Sequence, residues 1–188
     1  MLVVGLGNPG REFAHTRHNV GADAVAVVAE RNAMPLRAER GISALISARR
    51  FGQKLLALAI PVTYMNDSGV ALVELTRRFS VTQLERLVVV HDELDLPVGS
   101  VRVKRGGGTA GHNGLRSIAE RLGTLDFVRV RIGIGKPPGR IPGADYVLRR
   151  PSPAEAEGLH SAIELAADAA ELVFDRGIPA AMEKVNAS

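Results

Sequence analysis

Histidines, carboxylates and loop asparagines are the residues of this 188-residue chain whose types and positions could carry acid–base chemistry. The chain has no cysteine, so thiolate nucleophiles, disulfides and cysteine-based zinc sites are absent together. No Gly-x-Ser-x-Gly elbow occurs either, which leaves attack by activated water as the simple route to hydrolysis. His18 lies in Thr16-Arg17-His18-Asn19, an irregular stretch just before the first predicted helix. Asp92 follows the apolar run Leu87–Val90, a position just past a buried strand, where α/β enzymes place their working groups. A carboxylate beside an imidazole fixes its tautomer and favours its protonated form once it has taken a proton. His18 and Asp92 are therefore a candidate general base and partner acting on water. The plainer alternative is that His18 caps a helix and Asp92 closes a turn. A metal alternative joins His15-x-x-His18 to His91 or Asp92, but it lacks the helical His-Glu-x-x-His pattern and ranks below the metal-free base.

Asn8, Asn66 and Asn113 each stand where a loop meets a predicted element. Capping and turn chemistry explains asparagine there. So does a neutral amide that donates and accepts, as binding a peptide or holding a water requires. His112 either orients the Asn113 loop or stands exposed and idle, and Tyr64 and Met65 either pack under a terminal base or ribose or belong to the core. Two matches to Gly-x-Gly-x-x-Gly, at Gly5 to Gly10 and Gly106 to Gly111, are not nucleotide loops. That motif needs a helix to begin at the loop, and after Gly10 the predicted helix starts about ten residues late. Lys136 is followed by Pro137, which removes a Gly-Lys-Ser/Thr phosphate loop as well.

These residues must be positioned by an alternation of strands and helices. Leu2–Leu6 reads as a strand ended by Gly7-Asn8-Pro9-Gly10, and Gly21–Arg31 as a helix. Ile42–Ala48 and Gln53–Ile60 form an expected hairpin about Arg50-Phe51-Gly52. Asn66 or Asp67 caps a helix from Ser68 to about Phe79, and Leu87–Val90 is a fully apolar strand. Ser100–Lys104 and Phe127–Ile134 are further strands, separated by a helix from about Asn113 to Arg121. A long helix opens at Ser152-Pro153 and runs to about Arg176. The pattern predicts one α/β domain over residues 1–188, a twisted mixed sheet flanked by helices on both faces.

Composition narrows the partners. The net charge is +4, but residues 97–151 hold 11 Lys and Arg against 3 Asp and Glu, a local balance of +8. The remainder carries 13 basic and 17 acidic residues, a balance of −4. Such asymmetry is the footprint expected for a polyanion, or simply a solvated basic face. Aromatic residues are only 4%, so a broad base-stacking platform is excluded and phosphate contact is the expected mode. No run approaches a membrane span and no basic leader opens the chain, so the expected compartment is the cytosol.

Six segments in order resemble the bacterial-type peptidyl-tRNA hydrolases over nearly the whole chain. They are Gly5-Leu6-Gly7-Asn8-Pro9-Gly10, Thr16-Arg17-His18-Asn19, Thr63-Tyr64-Met65-Asn66-Asp67-Ser68-Gly69, His91-Asp92-Glu93-Leu94-Asp95-Leu96, Gly111-His112-Asn113-Gly114-Leu115 and Arg131-Ile132-Gly133-Ile134-Gly135. The resemblance implies a monomer with no metal or organic cofactor that hydrolyses the ester between a peptide and the 3′ ribose of tRNA. It implies His18 as catalytic base, Asp92 as the residue stabilising its active form, and Asn8 as the sensor of the acylated amino group. Asn66 and Asn113 would bind the peptidyl-tRNA end, with Asn113 also placed to hold the attacking water. Phe13 and Tyr64 would line the cleft, supported by Met65 and His112, while Lys104 and Arg131 would grip the tRNA 5′ phosphate. Three positions depart from the family's common residues: Phe13 for Tyr, Ile60 for Lys and Ala110 for Gly.

Overall fold

A computed structural model describes residues 1–187. Among them, seven strands form a single sheet in the order β2-β3-β4-β1-β5-β7-β6. The strands are β1 (Leu2–Gly5), β2 (Arg37–Ala38), β3 (Ala44–Phe51), β4 (Lys54–Pro61), β5 (Leu87–Glu93), β6 (Val101–Arg105) and β7 (Val128–Gly133). The four central strands, β4, β1, β5 and β7, run parallel, and the pairs at the two edges are antiparallel. The helices are α1 (Val20–Arg31), α2 (Ser68–Arg78), α3 (Asn113–Leu122), α4 (Gly143–Val147), α5 (Pro153–Arg176) and α6 (Ile178–Asn186).

Alternation along the strands divides the interior in two. Val3, Leu58, Val88, Val90 and Val130 pack with α1, α5 and α6. Leu2, Val4, Ala57, Ala59 and Val89 pack with α2 and α3. Helices thus cover both faces of a mixed sheet, as the pattern predicts. At about 25 cal/mol per Å² of apolar surface, burial on both faces is the main favourable contribution to folding.

Two expected boundaries move. β3 runs on to Phe51 and the hairpin turns at Gly52–Gln53, with Gly52 at φ +59°, where a residue without Cβ is unstrained. β5 continues through His91, Asp92 and Glu93, paired with Arg131, Ile132 and Gly133 of β7. Asp92 therefore lies inside the strand, not beyond its end. Backbone pairing extends a strand whose polar side chains carry no apolar signature. The edge strand β2, the short α4 and the terminal α6 were not expected from the pattern. β2 is two residues long and exists through pairing with β3, and α6 restarts after Gly177 at φ +87°.

The first glycine motif has a packing role. A Cβ at Gly5 would overlap the Gly21 carbonyl oxygen, and one at Gly21 would overlap that of Val90. The first turn of α1 thus crosses directly over β1 and β5. Leu6 N–H donates to Val90 O at 3.0 Å and Ala22 N–H to Leu6 O at 2.9 Å, pinning the crossing. The segment before α1 is thereby held over the carboxyl end of β5.

Candidate active site

That segment is a turn of 3-10 helix, Arg17–Asn19, with all three residues buried. The His18 side chain is 7% exposed and its Nδ1 lies 2.9 Å from each Asp92 carboxylate oxygen, Asp92 itself being 2% exposed. His18 does not cap α1, whose N-cap position is Asn19. Burial lowers the His18 pKa, but the Asp92 charge and hydrogen bond outweigh it and the value rises above the ordinary 6.5. Burial opposes ionisation of Asp92; the charges of His18 and His112 and their hydrogen bonds nevertheless hold its carboxyl well below the usual range. An ionised carboxylate only accepts, so His18 Nδ1 donates and Nε2 keeps its lone pair.

His112 contributes more than loop orientation. Its Nδ1 accepts from the N–H groups of Gly114 and Leu115, capping α3, which assigns the proton to Nε2. Nε2–H then donates to Asp92 Oδ1 at 2.8 Å. Asp92 therefore holds two imidazoles, and its charge is offset by two N–H dipoles. His91 points to the other face of β5. Its Nδ1 donates to the Asp92 backbone oxygen at 2.7 Å and its Nε2 is buried without a partner among the described residues. Burial and the neighbouring His112 push its pKa down to about 3.

The metal set expected as an alternative does not assemble. His15 is 80% exposed and its nearest carboxylate is Asp23, at 3.9 Å. Ligand atoms of His18, Asp92 and His112 do lie within 4.8 Å of one another and could hold a cation. In this geometry they are engaged with each other.

Two adjoining cavities open over the pair, of about 240 Å³ and about 280 Å³, and His18, Asn113, Ala144 and Val147 line both. The first extends to Glu93, His112 and Ala110. The second is walled by Asn8, Phe13, Tyr64 and Asn66. A larger hollow of about 460 Å³ lies at the amino ends of the strands, near Met1 and Phe174, and contains neither imidazole nor carboxylate in its lining. Chemistry therefore selects the smaller pair of cavities over the larger hollow.

The three asparagines converge on the second cavity, each in a different setting. Asn8 is clamped by Asn19: its N–H donates to Asn19 Oδ1 and its carbonyl accepts from Asn19 Nδ2, both at 2.9 Å. Its own Oδ1 accepts from Met65 N–H at 2.7 Å, which leaves Nδ2 as the group free to act. Asn66 is exposed and does not cap α2; Asp67 occupies that position without a side-chain cap bond. Asn113 opens α3 behind the His112 cap. Phe13 and Tyr64 meet edge to face with ring centroids 6.3 Å apart, and Tyr64 is 58% exposed. Met65 is buried, its sulfur under Gly114.

Lys104 and Arg131 come together at the far side of the sheet end. Burial and the charges of Arg131 and Arg129 lower the Lys104 pKa. Arg131 is not free: its Nη2 and Nε each lie 3.1 Å from Glu93 Oε2. Asn19 and Arg129 play parts that the sequence reading assigned to neither. Arg129 is 1% exposed and its guanidinium donates to the Gly107 and Gly108 carbonyls, fixing the glycine run. The alternation with Val128 and Val130 places it on the polar face of a half-buried strand; the structure covers that face as well.

A buried imidazole–carboxylate pair open to an amide-lined cleft, at the carboxyl ends of parallel strands, is the arrangement of an α/β enzyme's active site. The family model for peptidyl-tRNA hydrolase matches residues 2–188. The peptidyl-tRNA hydrolase of Nocardia farcinica is 50% identical over 98% of this chain and 95% of its own. That of Chloroflexus aurantiacus is 43% identical over 98% of both. The crystal structure of the Acinetobacter baumannii peptidyl-tRNA hydrolase superposes with a TM-score of 0.91 at 35% identity, covering 99% of this chain and 94% of that one. The chain belongs to the peptidyl-tRNA hydrolase family.

Proposed function

We propose that this enzyme cleaves the ester joining a peptide to the 3′ ribose of tRNA by a metal-free, base-catalysed attack of water, with His18 Nε2 as the base. The observation that carries the reading is the contact of His18 Nδ1 with both carboxylate oxygens of Asp92 at 2.9 Å. It leaves the opposite nitrogen basic and turned to a cleft lined by His18 and Asn113. Water held by the Asn113 amide attacks the ester carbonyl carbon while His18 takes its proton. The tetrahedral intermediate then expels the ribose oxygen, and the imidazolium, stabilised by Asp92, returns the proton to it. The products are deacylated tRNA and the peptide acid, which loses its proton to solvent to become the carboxylate.

Asn8 supplies the discrimination. With Oδ1 committed to Met65, its Nδ2 is a donor only. A donor matches the carbonyl of an N-acylated amino acid and repels the ammonium of a free aminoacyl ester. Asn66, Phe13 and Tyr64 hold the peptide and acceptor end, with Met65 and His112 supporting the walls. Lys104 and Arg131 receive the 5′ phosphate, Arg131 exchanging or sharing Glu93 as it does so. We place the enzyme in the cytoplasm as a monomer, consistent with its substrate; no helix among the described residues is long and apolar enough to cross a membrane.

The test is turnover of a peptidyl-tRNA by His18→Ala. Loss of general-base catalysis is expected to lower kcat by about 10³-fold or more while tRNA binding persists. Retained turnover would remove His18 from the chemistry.

A further inference from the structure

The turn that carries the base has a second anchor, one residue before it. Arg17 has a side chain only 7% exposed, and its Nη2 pairs with Glu155 at 2.7 Å. Its Nη1 donates to the backbone oxygens of Arg149 at 3.2 Å and Arg150 at 2.9 Å. Its backbone N–H also donates to Arg149 O, at 3.1 Å. The guanidinium lies over the Tyr146 ring, 4.1 Å from its centroid. These partners are themselves held. The Tyr146 hydroxyl donates to Ile134 O at 3.0 Å, and Glu155 accepts from the Ser152 N–H at 2.9 Å and hydroxyl at 2.6 Å, closing the capping box of α5.

All of Arg17's partners belong to α4, the residues following it and the first turn of α5. The same segment walls the cleft through Gly143 and Ala144 on one side and Leu148 on the other, with Val147 reaching both. In a 3-10 turn consecutive side chains diverge by about 120°. Arg17 therefore faces the cleft wall while His18 faces Asp92. A buried ion pair adds little stability over well-packed apolar groups, so its value here is geometric. Only a planar fork with several donors can meet two carbonyls, a carboxylate and an aromatic face at once.

We propose that Arg17 is a positioning residue for the base: its guanidinium, latched to Glu155, Tyr146 and the carbonyls of Arg149 and Arg150, fixes the His18 turn to the cleft wall and so keeps the imidazole on Asp92. This rests on the reading of His18 as the base. The groups facing His18 are Asp92 from β5 and His112 from the loop ahead of α3. Those facing Arg17 are Glu155 from α5 and Tyr146 from α4. Loosening the latch lets the imidazole drift from the carboxylate that sustains its basicity.

The experiment compares wild type, Arg17→Lys and Glu155→Gln by peptidyl-tRNA hydrolysis across pH, with the His18 ring titration followed by NMR and Tm recorded for each. Arg17→Lys is expected to lower kcat on the order of 10- to 100-fold with KM little changed, as misplacement of a reacting group does. The acid limb of kcat and the His18 titration should both move to lower pH. Glu155→Gln should move both in the same direction by less. A fall in Tm with kcat and the acid limb unchanged would make the latch purely structural and overturn the proposal. If Arg17→Lys does not fold, Glu155→Gln decides by the same readouts. His18→Ala separates the two readings. Turnover surviving in it removes the base assignment, whereas an inactive His18→Ala beside an unaltered Arg17→Lys removes only the latch.

Discussion

The carboxyl end of the sheet has two sides, and β5 serves both with consecutive residues. Asp92 faces α1, where it meets His18; His91 and Glu93 face α3, alongside Arg129, Arg131 and Lys104. On the first side a carboxylate raises the pKa of His18 above 6.5. On the second, an equally buried imidazole is driven down to about 3 by burial and the charge of His112. The contrast teaches that burial lowers both imidazoles and that the outcome depends on what opposes it. On His18 the charge and side-chain hydrogen bond of Asp92 outweigh burial, whereas on His91 the same residue's backbone oxygen and charge do not. The first side sets a carboxylate beside an imidazole; the second gathers Lys104, Arg129 and Arg131 near Glu93.

The largest expected change that separates the sides is Asp92→Asn. Without the carboxylate, burial is left to act alone on His18, so its pKa should fall below 6.5. With His18 as the base, the acid limb of kcat is expected above 6.5 in wild type and should shift to lower pH in the variant. Turnover should drop on the order of 10²-fold, as the imidazolium loses its partner. A pH–rate profile on wild type and variant reads both, and an unmoved limb would break the comparison. On the other side, Lys104→Ala or Arg131→Ala should weaken tRNA binding and leave the acid limb in place. Each should flatten the slope of log affinity against log salt by about 0.7 to 0.9. Arg131→Ala also strips Glu93 of its partner, so it should weaken binding more than Lys104→Ala. His91→Phe should change kcat only slightly and the pH profile not at all, because His91 does not titrate near neutrality.

The smallest expected effect concerns Ala110, on the rim of the cavity over the pair. Its φ is +48°, in the left-handed region that strains a residue with a Cβ. Ala110→Gly should raise stability by roughly 0.5–1 kcal/mol, the relief of strain exceeding the added unfolded-state entropy. Denaturant midpoints at constant m check it. A fall in stability would mean that neighbours, not backbone strain, set that loop.

Much of this architecture was legible beforehand. The apolar runs at Leu2–Leu6 and Leu87–Val90 and the alternation over Phe127–Ile134 signal strands, and Pro153 with Glu155 marks a helix start unaided. Elements that depend on pairing or on a neighbour's surface were not legible. β2 is visible only through its pairing with β3, and the polar end of β5 only through its ladder with β7. The site divides in the same way. His18, Asp92 and the three asparagines stand out by type and context, whereas Asn19's clamp on Asn8 and His112's bond to Asp92 connect residues 11 and 20 positions apart. Nothing in local composition reports such distances.

By itself, the sequence determined which chemistry was available. Without cysteine or a serine elbow it left activated water as the simple route to hydrolysis, and its charge asymmetry set apart a basic segment over residues 97–151. Tertiary structure alone decided which side chains meet: His18 and His112 both reach Asp92. Gly5 and Gly21 allow α1 to cross directly over β1 and β5, and that close approach carries His18 onto Asp92. Strand alternation meanwhile turns His91 to the opposite face. Proximity across 74 residues of chain is a property of packing, and an imidazole's proton affinity follows from what packing places against it.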